Sequence, residues 1–144
     1  NAGVILMHMK GTPSTMQKNI KYKDVISDIF NFLHERADFA LQNGIKKESI
    51  ILDPGIGFGK TVEDNLLIIK KLAEFKSLNY PLLIGISNKS FLAKVAGVSE
   101  LPERIIPSIT ASAFAAVNGA DIIRVHNVKE TVLSLKVVDA LRRI

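Results

Sequence analysis

Four short stretches of this 144-residue chain carry side chains suited to chemistry: "MHMKG" (7–11), "DPGIGFGK" (53–60), "SNKS" (87–90) and "RVHN" (124–127). The second runs into "GKT" (59–61) like the end of a phosphate-binding P-loop, but that loop needs glycine where Pro54 stands. The dinucleotide pattern G-x-G-x-x-G would need glycine where Lys60 stands. Both nucleotide readings are excluded. A lone Asp-Pro-Gly reads first as a strand-to-helix turn with Asp53 capping local backbone. Glycine at 55, 57 and 59 goes further, stripping side chains from alternate positions, so the loop is expected to be a bare floor for a planar ligand, with Phe58 projecting from it. Lys89 opposes the partial positive charge of a helix start unless it meets an anionic or carbonyl-bearing partner, and Ser90 with the free amides beside it could hold a carboxylate. Arg124 and His126, two apart, share one face of a strand, and the arginine fork suits phosphate, so the pair is read as an anion site. His8, of opposite parity to Met7 and Met9, and His34, within a helical segment, are read as structural. No metal triad is visible, and no Ser-His or Cys-His pair suggests covalent catalysis.

These residues need elements to position them. Four runs rich in β-branched residues, 3–9, 49–53, 81–87 and 121–127, read as strands. Between them lie amphipathic segments. Ile26, Ile29, Phe30, Leu33, Ala37, Ala40 and Leu41 form a helical stripe that stops at Asn43-Gly44. Thr61 to Asp64 approximates a capping box ahead of Leu66, Leu67, Ile69 and Leu72. "NKSFLAKVAG" is a short helix closed by Gly97, and Pro102 starts a helix ending at Gly119, with Pro107 expected to disturb its first turns. "KETVLSLKVVDALRR" closes the chain, with Arg142 and Arg143 at its negative dipole end.

Strands alternating with helices predict parallel α/β structure. Every strand carries its polar residues at its C-terminal edge: "MHMKG", Asp53, Gly85 with Ser87, and Arg124 with His126. An open doubly wound sheet concentrates its site at one switch point, whereas a (βα)8 barrel draws residues from many strands to one mouth. The pattern predicts a barrel. A whole barrel takes about 250 residues, so the expectation is its C-terminal half, strands 5 to 8, with two free edges and an apolar sheet face that self-association or a missing N-terminal half would cover.

A hydrophobic content of 47% with 23% charged residues suits one globular domain over 1–144. The net charge of +5 is scattered among acids rather than gathered into a basic stripe, so no nucleic-acid partner is expected. No apolar run is long enough for a membrane span, and "NAGVILMHMKG" lacks the organisation of a signal peptide. With no cysteine in the sequence, the expectation is a cytoplasmic protein.

Taken in order, "LMHMKGTPSTMQ", "ILDPGIGFGKT", "LIGISNKSFL" and "ADIIRVHNV" resemble the dihydropteroate synthases, and the resemblance spans essentially the whole chain. That family is a (βα)8 barrel joining p-aminobenzoate to 6-hydroxymethyl-7,8-dihydropterin pyrophosphate, with release of pyrophosphate, in folate biosynthesis. The resemblance implies that Asp53 bonds the amino-pyrimidine edge of the pterin and that Lys89 binds the ring's carbonyl and N5 side. Met7 and Gly85 would line the pterin slot, Phe58 and Ser90 would serve p-aminobenzoate, and Arg124 and His126 would hold pyrophosphate. Lys89, Arg124 and His126 are thereby the implied catalytic group. Mg2+ is implied with the pyrophosphate, its main protein ligand lying in a missing N-terminal half. A homodimer, or association with that half, is expected, and the chain alone is expected to be nearly inactive. Asn88 departs from the arginine of many members. Two alternatives are a corrinoid methyltransferase-like domain that binds methyltetrahydrofolate and a self-associating half-barrel without catalysis.

Overall fold

The computed structural model describes residues 2–16 and 20–144; Gln17, the last residue of the first motif, lies outside them. Strands and helices follow as β1 (Val4–Met7), α1 (Val25–Gln42), β2 (Ile50–Asp53), α2 (Val62–Lys70), β3 (Leu83–Ile84), α3 (Ser90–Ala96), α4 (Ile105–Val117), β4 (Ile122–Ile123) and α5 (Val128–Arg142). β1 pairs in parallel with β2 from Val4↔Ile50 to Met7↔Asp53, and β3 with β4 at Leu83↔Ile122 and Ile84↔Ile123. A parallel bridge, Leu52↔Leu82, joins the two pairs, and the Leu52 N–H donates to the Pro81 carbonyl at 2.9 Å. Neighbours in space are therefore neighbours in sequence, without the reversal of a doubly wound sheet.

The strands are shorter than the apolar runs suggested. One backbone bond continues each pairing past its last strand residue: His8 N–H donates to Asp53 O at 3.0 Å, and Arg124 N–H to Ile84 O at 2.9 Å. Further on, side chains take over, for the Ser87 hydroxyl accepts from His126 N–H at 3.3 Å. Residues 85–87 and 125–127 form the rim rather than the ladder.

α1 begins at Asp24, whose carboxylate accepts from the Ser27 N–H at 2.8 Å, and buries Ile29, Leu33 and Ala37. Phe30 of the expected stripe is half-buried and Leu41 exposed. Thr61 and Asp64 make a full reciprocal capping box despite the short aspartate, with bonds of 2.9 and 3.1 Å. The inward face that runs through α2 and just past its end keeps Ile69 and Leu72 of the expected stripe but takes Asn65 and Ile68 in place of Leu66 and Leu67. Asn65, Ile68, Ile69 and Leu72 are buried while Leu66 and Leu67 are exposed. Its true i, i+3, i+4, i+7 stripe is led by a polar residue, which an apolar pattern cannot register. Pro107 is the third residue of α4 and leaves it intact, because an N–H there has no intrahelical acceptor. Pro102 opens a separate 3-10 turn, Pro102–Arg104, just before it. Ile50, Leu52, Ile68, Phe75, Leu82 and Ile84, all fully buried, knit strands to helices, each such side chain contributing about 1.5–3 kcal/mol of apolar transfer.

Candidate active site

Because the four strands run the same way, their C-terminal ends open on one side of the sheet, and there Asp53 ends β2 with 1% exposure. Its Oδ1 accepts from the Gly55 N–H at 2.7 Å, and its Oδ2 from Arg124 Nη2 at 3.3 Å. The carboxylate thus both caps its own loop and faces the rim of β4. Burial raises its pKa above the usual aspartate value, against the opposing pull of the Gly55 amide, Arg124, Lys60 and Lys89. Met7 sits beside it as its register partner at the end of β1.

Arg124 reaches back over β3. A Cβ on Gly85 would lie 2.9 Å from Arg124 Nη2, so glycine leaves room here for the guanidinium. His126 Nδ1 stands 2.9 Å from Ser87 Oγ, which holds the ring at the lip. Gly85, Ser87, Lys89, Arg124 and His126 line one cavity of about 170 Å³. Arg124 and His126 are together as expected, but the guanidinium engages Asp53 rather than standing apart from it.

Lys89 occupies the N-cap of α3, preceded by Asn88 in the left-handed region at φ 61°. Asparagine tolerates that conformation, and its backbone is pinned on both sides, its N–H donating to Ser108 Oγ at 2.9 Å and its carbonyl accepting from Arg104 Nη1 at 3.3 Å. Lys89 Nζ lies 4.1 Å from the centroid of the Phe58 ring, a cation-π contact. Burial first, then Arg124, lowers its pKa, while Asp53 raises it. Ser90 opens instead on a neighbouring groove with Gly57, Lys60, Asn65 and Lys94, separate from the cavity under Arg124.

The glycine loop corrects the planar-floor expectation. A Cβ on Gly55 (φ 72°) would fall 1.9 Å from the His8 carbonyl oxygen, and one on Gly59 (φ 67°) 2.7 Å from that of Lys10. These two glycines let the loop lie on the turn after β1, and that close approach is what requires them. A Cβ on Gly57 (φ 81°) would lie 3.0 Å from Lys89 Cδ, so the middle glycine leaves room for that side chain.

Two buried polar residues, Lys60 and Asn65, are absent from the residues the sequence singles out for the site. Lys60, 4% exposed, places Nζ 3.0 Å from His8 Nδ1 and donates to the Phe58 carbonyl at 3.0 Å. Burial brings Lys60 down to about 7, and burial together with Lys60 brings His8 down to about 4, so His8 is neutral near pH 7 and its Nδ1 can accept. Asn65 accepts from the Gly57 N–H at 2.7 Å and donates to the Thr61 carbonyl at 2.6 Å. In the sequence Lys60 serves only to exclude a nucleotide motif. A lysine reads as surface unless its partners are known, and its partner lies 52 residues away. His8 is structural as expected, packed edge-on against Phe32 at 5.0 Å. His34 is exposed on α1, 3.1 Å from Asp38. Among the described residues no group of three or more His, Cys, Asp or Glu side chains could hold a metal ion.

Set beside known proteins, residues 1–126 match the family model described as pterin binding enzyme. The dihydropteroate synthase of Escherichia coli (strain K12) is 45% identical over 137 residues, which are 95% of this chain and 48% of that protein. The crystal structure of dihydropteroate synthase from Stenotrophomonas maltophilia with active site-bound imidazole superposes with a TM-score of 0.95 at 37% identity, covering 99% of this chain and 54% of that one. The synthase of Xanthomonas albilineans in complex with 7,8-dihydropteroate gives 0.90 at 35% identity, covering 99% of this chain and 52% of that one. The chain spans about half the length of the relatives it matches.

Proposed function

Since the chain belongs to the pterin binding enzyme family, we propose that it carries the pterin site of a dihydropteroate synthase, which condenses 6-hydroxymethyl-7,8-dihydropterin pyrophosphate with p-aminobenzoate. The observation that carries the reading is Asp53, a carboxylate 1% exposed at a strand end, with one oxygen tied to the loop and the other turned toward Arg124. An ionised carboxylate in that position suits the adjacent N–H donors of an amino-pyrimidine edge. Lys89 then meets the ring's carbonyl and N5 side, with Met7 and Gly85 lining the slot. The ring's entry requires Arg124 to release Asp53 and uncover Gly85.

Phe58 and Ser90 serve p-aminobenzoate, the first as an aromatic wall beside Lys89 and the second at the start of α3. Arg124, freed from Asp53, joins His126 on the pyrophosphate. The carbon–oxygen bond to pyrophosphate breaks with its electron pair leaving on oxygen. The arylamine nitrogen forms the new carbon–nitrogen bond and gives up a proton to solvent. Stabilising charge on the departing anion is the main electrostatic task, so Lys89, Arg124 and His126 are the catalytic group. Mg2+ would accompany the pyrophosphate. The described residues offer a mainly cationic rim with a single carboxylate, a poor donor set for Mg2+.

The sequence-ordered parallel strands, together with superpositions that cover about half of each relative, support a half-barrel formed by strands 5 to 8 as a single domain over 1–144. They also support its completion by a second copy or by an N-terminal half. No helix among the described residues is long and apolar enough to cross a membrane, and we place the protein in the cytoplasm by its proposed chemistry. Calorimetry with a pterin and with p-aminobenzoate tests the reading. Binding of both supports the synthase, pterin alone leaves a methyltransferase-like domain equally open, and binding of neither favours a non-catalytic scaffold.

A further inference from the structure

We propose that Lys60 is a positioning residue of this site, acting with His8 to fasten the glycine loop to the turn after β1 and so fix where Phe58 and Asp53 stand. The inference rests on the reading of the mouth as a pterin and p-aminobenzoate site. The β1–β2 ladder ends at Met7↔Asp53, and one further backbone bond runs from His8 to Asp53. Past that point side chains join the two loops. Tyr22 Oη donates to the Gly59 carbonyl at 2.8 Å, while Lys60 Nζ spans His8 Nδ1 and the Phe58 carbonyl, each at 3.0 Å. The Phe58 carbonyl is thus turned inward, and its ring lies against Lys89.

A lysine 4% exposed carries a desolvation cost that a methionine of equal length would avoid. Its contribution must therefore come from the bonds it makes. The two loops already touch too closely at Gly55 and Gly59 to admit a Cβ, and Lys60 holds that contact shut. Asn65, on the other side of the loop, fixes Gly57 and the Thr61 carbonyl, so both flanks of Phe58 are tied.

Amide hydrogen exchange on the full chain tests the fastening. Lys60→Met is expected to speed exchange at Gly57 and Phe58 tenfold or more, with the α1 amides within twofold of wild type. His8→Leu should do the same and His8→Asn, whose amide oxygen stands where Nδ1 does and can accept from Lys60, should not. The Lys60→Met/His8→Leu double variant should exchange no faster than either single variant. Unchanged loop exchange, an equal rise in α1, or additive effects in the double variant would overturn the proposal. Should Lys60→Met fail to fold, the contrast between His8→Leu and His8→Asn decides. Calorimetry adds the functional arm: where the wild-type chain binds a pterin, Lys60→Met should weaken binding at least tenfold, and unchanged affinity overturns the positioning role. A wild-type chain that binds neither a pterin nor p-aminobenzoate contradicts the proposed function instead, and the exchange measurements still decide whether Lys60 and His8 fasten the loops.

Discussion

Asp53 combines near-complete burial with an acceptor's task, and the two pull its ionisation in opposite directions. Burial raises its pKa despite the surrounding amide and cations, whereas the edge of a pterin calls for the charged form. Pterin affinity should therefore decline on acidification before the pH reaches the ordinary aspartate value of about 3.9, visible as a calorimetric Kd that rises as the pH is lowered from neutrality; a flat profile would contradict this assignment. His8 gives a second pH signature, in stability. Its folded pKa of about 4 lies below the ordinary 6.5, so between those values the unfolded chain binds more protons and stability falls as pH falls. The loss should be on the order of 3 kcal/mol. Lys60, Lys10 and Asp28 are the charged groups acting on the imidazole. His8→Gln should flatten that acid limb in urea unfolding.

At the scale of elements, the glycine loop and the helix ends separate two kinds of glycine. Gly97 closes α3 at φ 68° with nothing within 4 Å of its absent side chain, whereas Gly55, at φ 72°, lies against the His8 carbonyl. Gly97→Ala should cost only the left-handed strain, about 1–2 kcal/mol, while Gly55→Ala should cost more than about 3 kcal/mol because backbone must also move. Chemical denaturation of both variants checks the difference, and equal losses would refute it. The strands, α1, the capping box and the stop at Gly97 were legible because periodicity and cap chemistry are local. The inward phase of α2 was not, because Asn65 leads it. Nor was the true use of the alternating glycines, which depends on His8 and Lys10 lying across the loop. The pairing of Asp53 with Arg124 joins residues 71 apart, and only the parallel stacking of β2, β3 and β4 brings them together.

The molecule as a whole leaves apolar surface open. Leu66, Val95, Ile106 and Phe114 line a groove of about 450 Å³ across α2, α3 and α4, and Val128, Val137 and Leu141 are exposed on α5. Among the described residues β1 is paired only with β2, and β4 only with β3. Free edges and apolar faces of this kind favour association, so sedimentation should detect species larger than a 15.8 kDa monomer; a strictly monomeric chain at high concentration would argue against the half-barrel account. A chain spanning about half the length of its relatives is expected to show little or no turnover by itself. Its binding of a pterin is therefore the more direct question, and calorimetric titration of the chain and of its Asp53→Asn variant answers it. The chain should bind a pterin measurably, with affinity at least tenfold weaker in Asp53→Asn; no binding, or equal affinity for both, would contradict a pterin site built on Asp53.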